Sequence, residues 1–532
     1  MLVAILIPVA LSLLRFVPGI ANSQMWIFIQ SALILPAMWG KRHREPIAGG
    51  QVPTRGQALY IVLISVLNIV LLVGPYVHHH PQSTFVSLAA QELSIIGNRA
   101  GCMAMGNVVV LFIFAGRNNV LLYITDWSHG TYLLLHRWLG YWAVFHTVLH
   151  SVMLLGYYKV YGTYEAELAR EYWRWGIVGT VAVSALTLSS LLVVRQRLYE
   201  FFLASHVVLS LLFIIGYYYH IWFLYKYSWG YEIWIFIAGG IWGVERLARL
   251  ARMAWQGSRT ATVTSIADTE GEYLRIDIEG VRLDSGVVYL CFPTLGWRFW
   301  ETHPFSVAFS SDHDINPPAP LSASKSDTSR DDIVEKSTST TTVTIPPKNE
   351  TNTTPTTTFL VRVRTGITAR LATRTSNPQG TRLTVLLEGP YPHDTSSSTA
   401  ADLSHCTRLL YLAGGVGITA LLPHLRQSSS SSARTARLVW STRKAGLADA
   451  LAPVLAGLTR GNVEVEVSVG VRADLDGVLE KELAAGAGEG LLGIVVCGPA
   501  GMADCVRHRV VQVARSGRAT RGYVLVDEAY GW

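Results

Sequence analysis

Residues 136–150 read HRWLGYWAVFHTVLH, and residues 206–220 read HVVLSLLFIIGYYYH. Each segment is mostly apolar and has a histidine at each end. The same spacing between two histidines therefore occurs twice in the chain. On an α-helix an interval of this length turns through about 1400°, roughly 40° short of four full turns, and rises about 21 Å. The two histidines of each segment therefore lie on one helix face, which predicts two matched pairs of imidazoles on two helices.

The hydropathy around these segments predicts a membrane domain. Half of the 532 residues are hydrophobic, a larger share than an ordinary soluble enzyme needs in one chain. Several apolar stretches approach the ~20 residues that a spanning helix requires. We expect seven spans, which lie near residues 24–40, 58–78, 101–116, 132–157, 174–194, 201–222 and 231–247.

The basic residues predict the orientation of these spans, because cytosolic loops are rich in Lys and Arg. The clusters alternate between the two ends of successive spans, which puts the N-terminus outside and everything after about residue 250 in the cytosol. The segments at 132–157 and 201–222 then run parallel. His136 is expected to face His206 near the cytosolic leaflet, and His150 to face His220 near the outer leaflet. The basic residues are Lys41, Arg42, Arg44, Arg55, Arg117, Arg137, Arg195, Arg197, Arg246, Arg249 and Arg252.

Two facing imidazoles can bind a haem iron from both sides and leave no open position, which suits electron relay. The four histidines therefore predict two stacked haems. The alternative is that each histidine makes an ordinary hydrogen bond between helices, but two matched intervals favour the haem interpretation. His146 competes with His150 as a ligand. It lies about 80° from the direction of His136, against about 40° for His150, and has no counterpart on the second helix.

The remaining composition narrows the class of protein. The net charge of +7 comes from short basic clusters beside apolar runs, which favours membrane orientation over nucleic-acid binding. Five cysteines are too scattered for a disulfide framework or a CxxC metal site. Four of them fall in the second half, which suits a reducing cytosolic compartment. Residues 1–23 are an apolar N-terminal segment that we interpret as a signal anchor or an extra span.

The second half of the sequence predicts two soluble domains. Residues 260–266 and 273–278 alternate as half-buried strands do, which predicts a small antiparallel barrel. Residues 310–357 are rich in Ser, Thr, Asp and Pro, so they are expected to be a disordered insertion. Further on, the apolar strand at 409–413 runs into a glycine-rich turn and an apolar helix. Such a turn lets a pyrophosphate approach a helix N-terminus, although glycine-rich turns also occur for packing alone. The turn reads Gly414-Gly415-Val416-Gly417-Ile418-Thr419.

The stretches Gly116-Arg117-Asn118-Asn119 and Leu135-His136-Arg137-Trp138-Leu139-Gly140, followed by His150, resemble the fungal ferric reductases of the ferric reductase and NADPH oxidase superfamily. The resemblance extends from about residue 58 to the C-terminus. It implies that His136, His150, His206 and His220 are the axial ligands of two haem b groups. Tyr141 departs from the family pattern, in which a basic residue often follows the glycine, and so does His146.

The same resemblance implies a ferredoxin-NADP-reductase-like module after the membrane bundle. His303-Pro304-Phe305-Ser306 resembles the family's flavin motif, although a turn around Pro304 would read similarly. Downstream, Arg362, Gly366 and Thr368 resemble the segment that holds the FAD pyrophosphate, and Arg364 is a weaker candidate because it points to the other strand face. Glu388-Gly389-Pro390-Tyr391 resembles the family's linking motif.

In the nucleotide domain the resemblance assigns three further positions. Arg443, at the end of the strand at 437–440, would meet a 2′-phosphate and so favour NADPH over NADH. Cys497, Gly498 and Pro499 resemble the loop that holds the nicotinamide over the flavin. Trp532 would lie against the flavin ring, and Cys497 and Trp532 would be the catalytic residues. The alternative for Trp532 is the ordinary packing of a terminal aromatic side chain.

These features predict a multi-domain chain: a transmembrane haem domain at 24–250, an FAD-binding barrel at 258–395 and an NADPH-binding α/β domain at 404–532. The implied activity passes electrons from cytosolic NADPH through FAD and two haems to ferric or cupric chelates outside. A superoxide-producing NADPH oxidase is the alternative, and a transporter with a histidine-lined path is a third. The implied partners are membrane lipid and a downstream iron permease or oxidase, with no nucleic acid. The implied location is the plasma membrane, with a vacuolar or other internal membrane as the alternative.

Overall fold

The structure is a computed structural model. It describes residues 2–14, 17, 23–47, 50–77, 83–296, 301–311, 354–375, 380–391, 403–429, 434–461, 463–485 and 490–528. Trp532 and most of the predicted insertion at 310–357 lie outside these residues. The ends of that predicted insertion are strand, because residues 310–311 and 356–357 pair in a sheet.

Within the described ranges, the first half of the chain is helical and contains six helices of at least 19 residues. Polar caps set where several of them begin: Thr54 and Gln57 form a capping box at the start of α3, and the Ser87 and Ser128 hydroxyls accept backbone N–H bonds at the starts of α4 and α6. The long helices are α3 (Arg55–Val73), α4 (Leu88–Ala115), α6 (His129–Val160), α8 (Glu171–Ser189), α10 (Tyr199–Tyr225) and α11 (Glu232–Gln256). The shorter ones are α1 (Leu2–Leu13), α2 (Gln24–Ile29), α5 (Val120–Thr125), α7 (Tyr164–Leu168) and α9 (Leu192–Arg197).

In the part of the chain that the structure describes, four helices, α3, α4, α6 and α10, are long and apolar enough to cross a membrane, by length and composition alone. Large apolar side chains on their outer faces are exposed, such as Leu59 and Val70 of α3 at 58% and 55%. Apolar faces of this kind are unfavourable in contact with water and are stable in contact with lipid. The helical half is therefore a membrane domain, and the expected count of seven spans is not confirmed.

The predicted first span, at 24–40, does not form a spanning helix. Helix α2 continues as a π-helix only to Ile34, and 11 residues of helix rise about 17 Å against a hydrocarbon core of about 30 Å. The side chain of Ile27 is buried in the core of the nucleotide domain. Helix α1, with 12 residues, is likewise too short to span and packs beside α5.

The long helices pack as two neighbouring pairs, α4 with α6 and α8 with α10, and α6 also lies against α8. Small residues permit the closest approach, since a Cβ on Gly216 would lie 2.8 Å from the Gly179 nitrogen. Close glycine contacts of this kind are typical of helices associated in membranes. The two pairs place α6 and α10 so that their histidine faces meet.

Among the described residues, the first soluble domain is an antiparallel sheet of seven strands in the order β4-β3-β7-β1-β2-β6-β5. We call it the flavin domain after its predicted cofactor. Strand β4 also lies against β6, so the sheet curls around its apolar core. Helix α12 (Ile367–Arg374) covers part of this core through Ile367 and Leu371. The strands are β1 (Ser258–Ser265), β2 (Tyr273–Glu279), β3 (Val287–Cys291), β4 (His303–Ser306), β5 (Phe309–Ser311), β6 (Thr356–Arg362) and β7 (Thr381–Tyr391).

The second soluble domain is a parallel sheet of five strands in the order β10-β9-β8-β11-β12, with helices between the strands. The carboxyl ends of β8, β9 and β11 meet at one edge, which is where nucleotide ligands bind in open α/β sheets. The strands are β8 (Cys406–Gly414), β9 (Thr435–Thr442), β10 (Val463–Val469), β11 (Leu491–Cys497) and β12 (Tyr523–Asp527). The helices are α13 (Ile418–Ser429), α14 (Ala445–Thr459), α15 (Leu475–Ala484) and α16 (Ala500–Arg515).

Candidate functional site

Two pairs of histidines face each other between α6 and α10. The ring centres of His136 and His206 are 6.3 Å apart, and those of His150 and His220 are 6.0 Å apart. This pairing requires the two helices to run parallel. A metal ion bonded at about 2 Å to one nitrogen of each ring places two ring centres about 6 Å apart. Both pairs therefore fit a bis-histidine haem.

Nδ1 of each of the four imidazoles lies within hydrogen-bond distance of an oxygen on a neighbouring segment. Nδ1 of His136 lies 2.9 Å from the Leu111 carbonyl oxygen, and those of His150 and His220 lie 2.8 Å from the carbonyls of Gly97 and Tyr172. Nδ1 of His206 lies 3.0 Å from the Ser190 hydroxyl. An Nδ1–H donating to a carbonyl fixes the tautomer and leaves Nε2 for a metal. Three carbonyl contacts of this kind and the Ser190 hydroxyl contact of His206 orient all four rings for ligation.

Two glycines make room for His150 and His220, which we call the outer pair because the sequence predicts them near the outer leaflet; His136 and His206 are correspondingly the inner pair. A Cβ on Gly101 of α4 would lie 2.8 Å from Nδ1 of His150, and a Cβ on Gly176 of α8 would lie 2.8 Å from Nδ1 of His220. Each glycine follows, by four residues, the carbonyl that holds the same histidine. These paired glycines were not identified from the sequence, because their offset of four is from the carbonyl residues Gly97 and Tyr172 and their distances from the two histidines along the chain differ.

His146 takes part in a different cluster. Its ring is fully buried, stacks on Trp142 at 5.6 Å and has Nε2 at 3.1 Å from Oδ1 of Asn68 on α3. The same Asn68 oxygen accepts a 2.8 Å bond from Asn107 of α4. The structure therefore directs His146 toward α3, whereas His150 faces α10.

The segment His303-Pro304-Phe305-Ser306 forms β4 and pairs antiparallel with β3. The ligand atoms of His303, Glu301 and Glu200 all lie within 4.8 Å of one another. Glu200 belongs to the first turn of α10, six residues before His206. Burial lowers the pKa of His303, although the neighbouring Glu301 acts in the opposite direction, so the imidazole is neutral at pH 7. The candidate flavin motif thus lies beside the helix end that carries the inner pair.

The candidate pyrophosphate residues cluster where β6 meets α12. Arg362 ends β6 beside Tyr273, and its buried Nε has no hydrogen-bond partner among the described residues. Gly366 has φ +79° and caps α12, so an L side chain there would be strained. The Thr368 hydroxyl accepts a 2.8 Å bond from the Arg364 backbone N–H, so it shapes this loop. An unsatisfied guanidinium N–H next to a helix N-terminus fits an anionic phosphate.

The glycine-rich turn and the loop after β11 lie directly against each other. Gly415–Gly417 form a single 3₁₀ turn before α13, and a Cβ on Gly414 would lie 2.8 Å from Pro499 Cδ. A Cβ on Gly417 would collide with the carbonyl of Cys497. The Thr419 hydroxyl donates a 2.9 Å bond to the Val416 carbonyl, which stabilises the turn. These glycines bring two backbone segments together at the nucleotide edge of the sheet.

Cys497 and Arg443 occupy opposite ends of that edge. The Cys497 thiol is buried and donates a 3.3 Å bond to the Glu528 carbonyl, and burial raises its pKa, so it stays protonated. The Arg443 side chain is 68% exposed and forms a 2.6 Å ion pair with Glu272 of the flavin domain. Gly498 continues the Cys497 loop and lies against Gly414. Trp532 lies outside the described residues, so its predicted role stays a prediction.

A buried carboxylate joins the membrane helices to the flavin domain. Glu388, near the end of β7, is fully buried and accepts bonds of 2.8 Å from both Nε and Nη2 of Arg249, on α11. It also accepts 2.9 Å bonds from Arg117 and from the Tyr391 hydroxyl. Burial alone would raise the pKa of Glu388, but the Arg249 hydrogen bond and the charges of Arg117 and Arg249 lower it overall. The linking motif at 388–391 is therefore the docking point of the domain.

A second contact joins the N-terminal segment to the nucleotide domain. The backbone N–H groups of Arg44 and Glu45 donate to the Asp504 carboxylate at 2.9 to 3.1 Å, and Nε of Arg44 pairs with Asp527 at 3.1 Å. Arg515 of α16 donates to the Ser31 and Ala32 carbonyls. We call residues 24–54 the N-terminal strap. Sequence analysis missed it, because the apolar residues that dock it read as a membrane span.

Comparison with known proteins supports these domains. Residues 100–217 match the family model of the ferric reductase like transmembrane component, and residues 406–471 match that of the ferric reductase NAD binding domain. The first match contains His136, His150 and His206 and ends three residues before His220. The second contains the glycine-rich turn and Arg443.

Similar proteins come from two yeasts. The chain is 26% identical to ferric/cupric reductase transmembrane component 1 of Candida albicans, over 77% of this chain and 49% of the relative. It is 28% identical to ferric reductase transmembrane component 3 of Saccharomyces cerevisiae, over 56% of this chain and 42% of the relative. It is 23% identical to ferric/cupric reductase transmembrane component 2 of the same yeast, over 83% and 56%.

The chain spans about half the length of the first of these curated relatives. The matches nevertheless follow the order of the domains in the structure, with the membrane helices before the parallel sheet. The resemblance to the fungal ferric reductases is therefore confirmed: the helical half is similar to the ferric reductase like transmembrane component, and the parallel-sheet domain is similar to the ferric reductase NAD binding domain.

Proposed function

We propose that this protein is a transmembrane ferric-chelate reductase that takes electrons from NADPH on one side of a membrane and delivers them to ferric or cupric complexes on the other. The observation that carries the proposal is the geometry of the two histidine pairs, His136 with His206 and His150 with His220, at 6.3 and 6.0 Å. Bound FAD would supply hydride acceptance from NADPH and one-electron release, and haems held by the two histidine pairs would supply one-electron conduction. The protein supplies spacing, orientation and insulation for these groups.

The inner pair receives electrons because the flavin domain docks at its end of the bundle. The Glu388 ion pairs with Arg249 and Arg117 fix the barrel to α11 and to the loop after α4. His303 then lies beside Glu200, at the start of the helix that carries His206. His150 and His220, about 21 Å further along their helices, form the exit pair.

Carbonyl acceptors give His136, His150 and His220 one fixed tautomer, and the Ser190 hydroxyl holds the ring of His206, so each ring keeps its orientation. Nearby apolar side chains exclude water around the inner ligand, as Leu135 and Leu139 flank His136 and are almost fully buried. A dry, rigid surrounding limits the reorganisation that accompanies each change of charge.

The nucleotide enters at the edge formed by the glycine-rich turn and the Cys497 loop. The backbone amides at the start of α13 would meet the pyrophosphate, and Arg443 would meet the 2′-phosphate. The buried Cys497 thiol stays protonated, because burial suppresses the thiolate, so the loop would place no negative charge beside the nicotinamide.

The decisive test of the activity uses the full chain reconstituted in liposomes with NADPH on one side only. A ferric chelate outside should be reduced, and superoxide dismutase should not slow the reaction. Loss of the signal on adding superoxide dismutase would identify an NADPH oxidase. Failure to reduce the chelate anaerobically, in protein that holds both haems and FAD, would contradict the proposal.

A further inference from the structure

The turn between β1 and β2 reaches from the flavin domain onto the nucleotide domain. Its backbone curls through Asp268, Glu270 and Gly271, all of which have positive φ. The carbonyl of Ala267 lies so close to Gly446 in α14 that a Cβ on that glycine would collide with it. This turn therefore sits against the helix that follows Arg443, on the adenosine side of the nucleotide edge.

One carboxylate in this turn pairs with arginines from both domains. Oε1 of Glu272 lies 2.6 Å from Nη2 of Arg443 and 2.8 Å from Nη2 of Arg362. The Glu272 backbone is fixed on both sides, because its N–H donates to Thr269 and its carbonyl accepts from Val363. Its side chain is only 18% exposed, against 68% for Arg443. The carboxylate is thus the more buried member of the pair, and Arg443 is the member that an incoming phosphate can reach.

We infer that Glu272 is a specificity-determining residue that lowers the preference of this chain for NADPH over NADH by competing with the 2′-phosphate for Arg443. The inference rests on the proposed function, which assigns Arg443 to that phosphate. A 2′-phosphate that binds Arg443 must replace the charge-assisted hydrogen bond between Arg443 and Glu272. Part of the free energy gained from the phosphate is therefore offset by the loss of that bond. NADH has no 2′-phosphate and meets no such competition.

The carboxylate also repels the phosphate directly. A negative group at about 6 Å from a doubly charged phosphate, in a solvent-exposed and salt-screened setting, weakens its binding about three- to tenfold. Arg362 keeps a donor for its own role, because it pairs with Glu272 through Nη2 while its Nε has no partner among the described residues.

The chain offers a matched control in the same turn. Glu270 lies two residues away and pairs with Lys444, next to Arg443, at 2.7 Å. Its side chain is 82% exposed, and the structure gives it no bond to either phosphate-site arginine. Glu270→Gln therefore removes the same charge from the same turn without freeing Arg443.

The experiment uses the full-length, FAD-loaded protein in detergent and titrates adenosine 2′,5′-bisphosphate and 5′-AMP by calorimetry. Glu272→Gln should tighten the bisphosphate about three- to tenfold and leave 5′-AMP unchanged, while Glu270→Gln should change neither by more than about twofold. The NADPH to NADH ratio of kcat/KM should rise in parallel. Glu272→Asp, whose shorter side chain withdraws the carboxylate, should act in the same direction, and FAD content reports on folding.

Two outcomes separate the inference from the proposed function. If Arg443→Ala weakens the bisphosphate but Glu272→Gln and Glu272→Asp do not tighten it, the role of Glu272 is wrong and the NADPH assignment stands. If Arg443→Ala has no effect on the bisphosphate, the assignment of Arg443 itself fails. Equal effects of Glu270→Gln and Glu272→Gln would also overturn the inference, because they would reduce it to a general effect of charge.

Discussion

Arg117 and Glu388 form a 2.9 Å ion pair although 271 residues separate them in the chain. Arg117 follows the long helix α4 of the membrane domain, and Glu388 ends the flavin barrel. The guanidinium group also lies over the Tyr289 ring, 3.5 Å from its centre. The fully buried Glu388 thus joins the seven-stranded domain to the membrane helices through Arg117 and Arg249.

Glu388→Gln should uncouple the two domains. The substitution leaves Arg117 and Arg249 facing a neutral amide, and breaking a buried ion pair costs about 3–5 kcal/mol. We expect NADPH to reduce the flavin at a normal rate, while electron transfer to the haems slows at least tenfold in stopped-flow absorption. Glu279→Gln is the control, because Glu279 pairs with Arg382 at the surface, where an ion pair contributes about 0–1 kcal/mol.

The same carboxylate predicts a loss of coupling in acid. The pKa of Glu388 is lowered in the folded state, so its contribution to stability is complete above the unfolded value of about 4.3 and disappears as the pH falls through the lower folded value. Transfer from flavin to haem should therefore persist at pH 5 and fail in stronger acid. A loss of transfer already complete at pH 6 would contradict this account.

Gly101→Val and Gly176→Val should each remove the outer haem. A Cβ at either position would lie 2.8 Å from Nδ1 of a histidine of the outer pair, so the ring must leave its ligating position. Haem content per chain should fall from two to about one in both variants. Gly106→Val is the control on the same helix as Gly101, since its Cβ meets no atom within 4 Å. Full haem content in all three variants would show that the glycines do not serve the ligands.

His146→Gln should retain both haems. The ring of His146 bonds to Asn68 rather than facing α10, so we expect unchanged haem spectra and a melting temperature lowered by a few degrees, in line with a lost buried hydrogen bond worth about 1–3 kcal/mol. If His146→Gln loses one haem and His150→Ala keeps both, then His146 rather than His150 is the haem ligand.

The N-terminal strap should loosen on mild acidification. Burial lowers the pKa of His43 to about 4, with the charges of Arg507 and Arg44 acting in the same direction. The unfolded pKa is about 6.5, so the strap is most stable above that pH and loses stability as the pH falls toward 4. Hydrogen exchange at residues 24–54 should rise between pH 6.5 and 4.5, after correction for intrinsic rates. The surface variant His508→Asn should keep this dependence, whereas His43→Asn should flatten it.

The sequence allowed the histidine pairs, the two soluble folds and the nucleotide edge to be predicted. A repeated interval fixes which residues share a helix face, and His136 accordingly lies opposite His206. The glycine-rich turn at 414–417 was predictable for a similar reason, because strand, turn and helix follow one another locally.

The contacts between domains were not predictable in this way. Ile27 and its neighbours are apolar, and hydropathy does not distinguish burial in lipid from burial against α16 and the parallel sheet. Glu388 was identified only as part of a linking motif, because no residue near it in the sequence indicates that its hydrogen-bond partner lies on α11. The shared carboxylate of Glu272 depends on the relative position of two domains, which no local pattern encodes.

The central claim is that four histidines hold two haems in series behind the flavin. The most direct measurement is anaerobic absorption of the purified, full-length protein on addition of NADPH. We expect flavin bleaching followed by the reduced b-type haem spectrum of two haems per chain, and in His150→Ala flavin reduction should continue while ferric chelate reduction stops. A folded, FAD-loaded protein that shows no haem absorbance would contradict the claim.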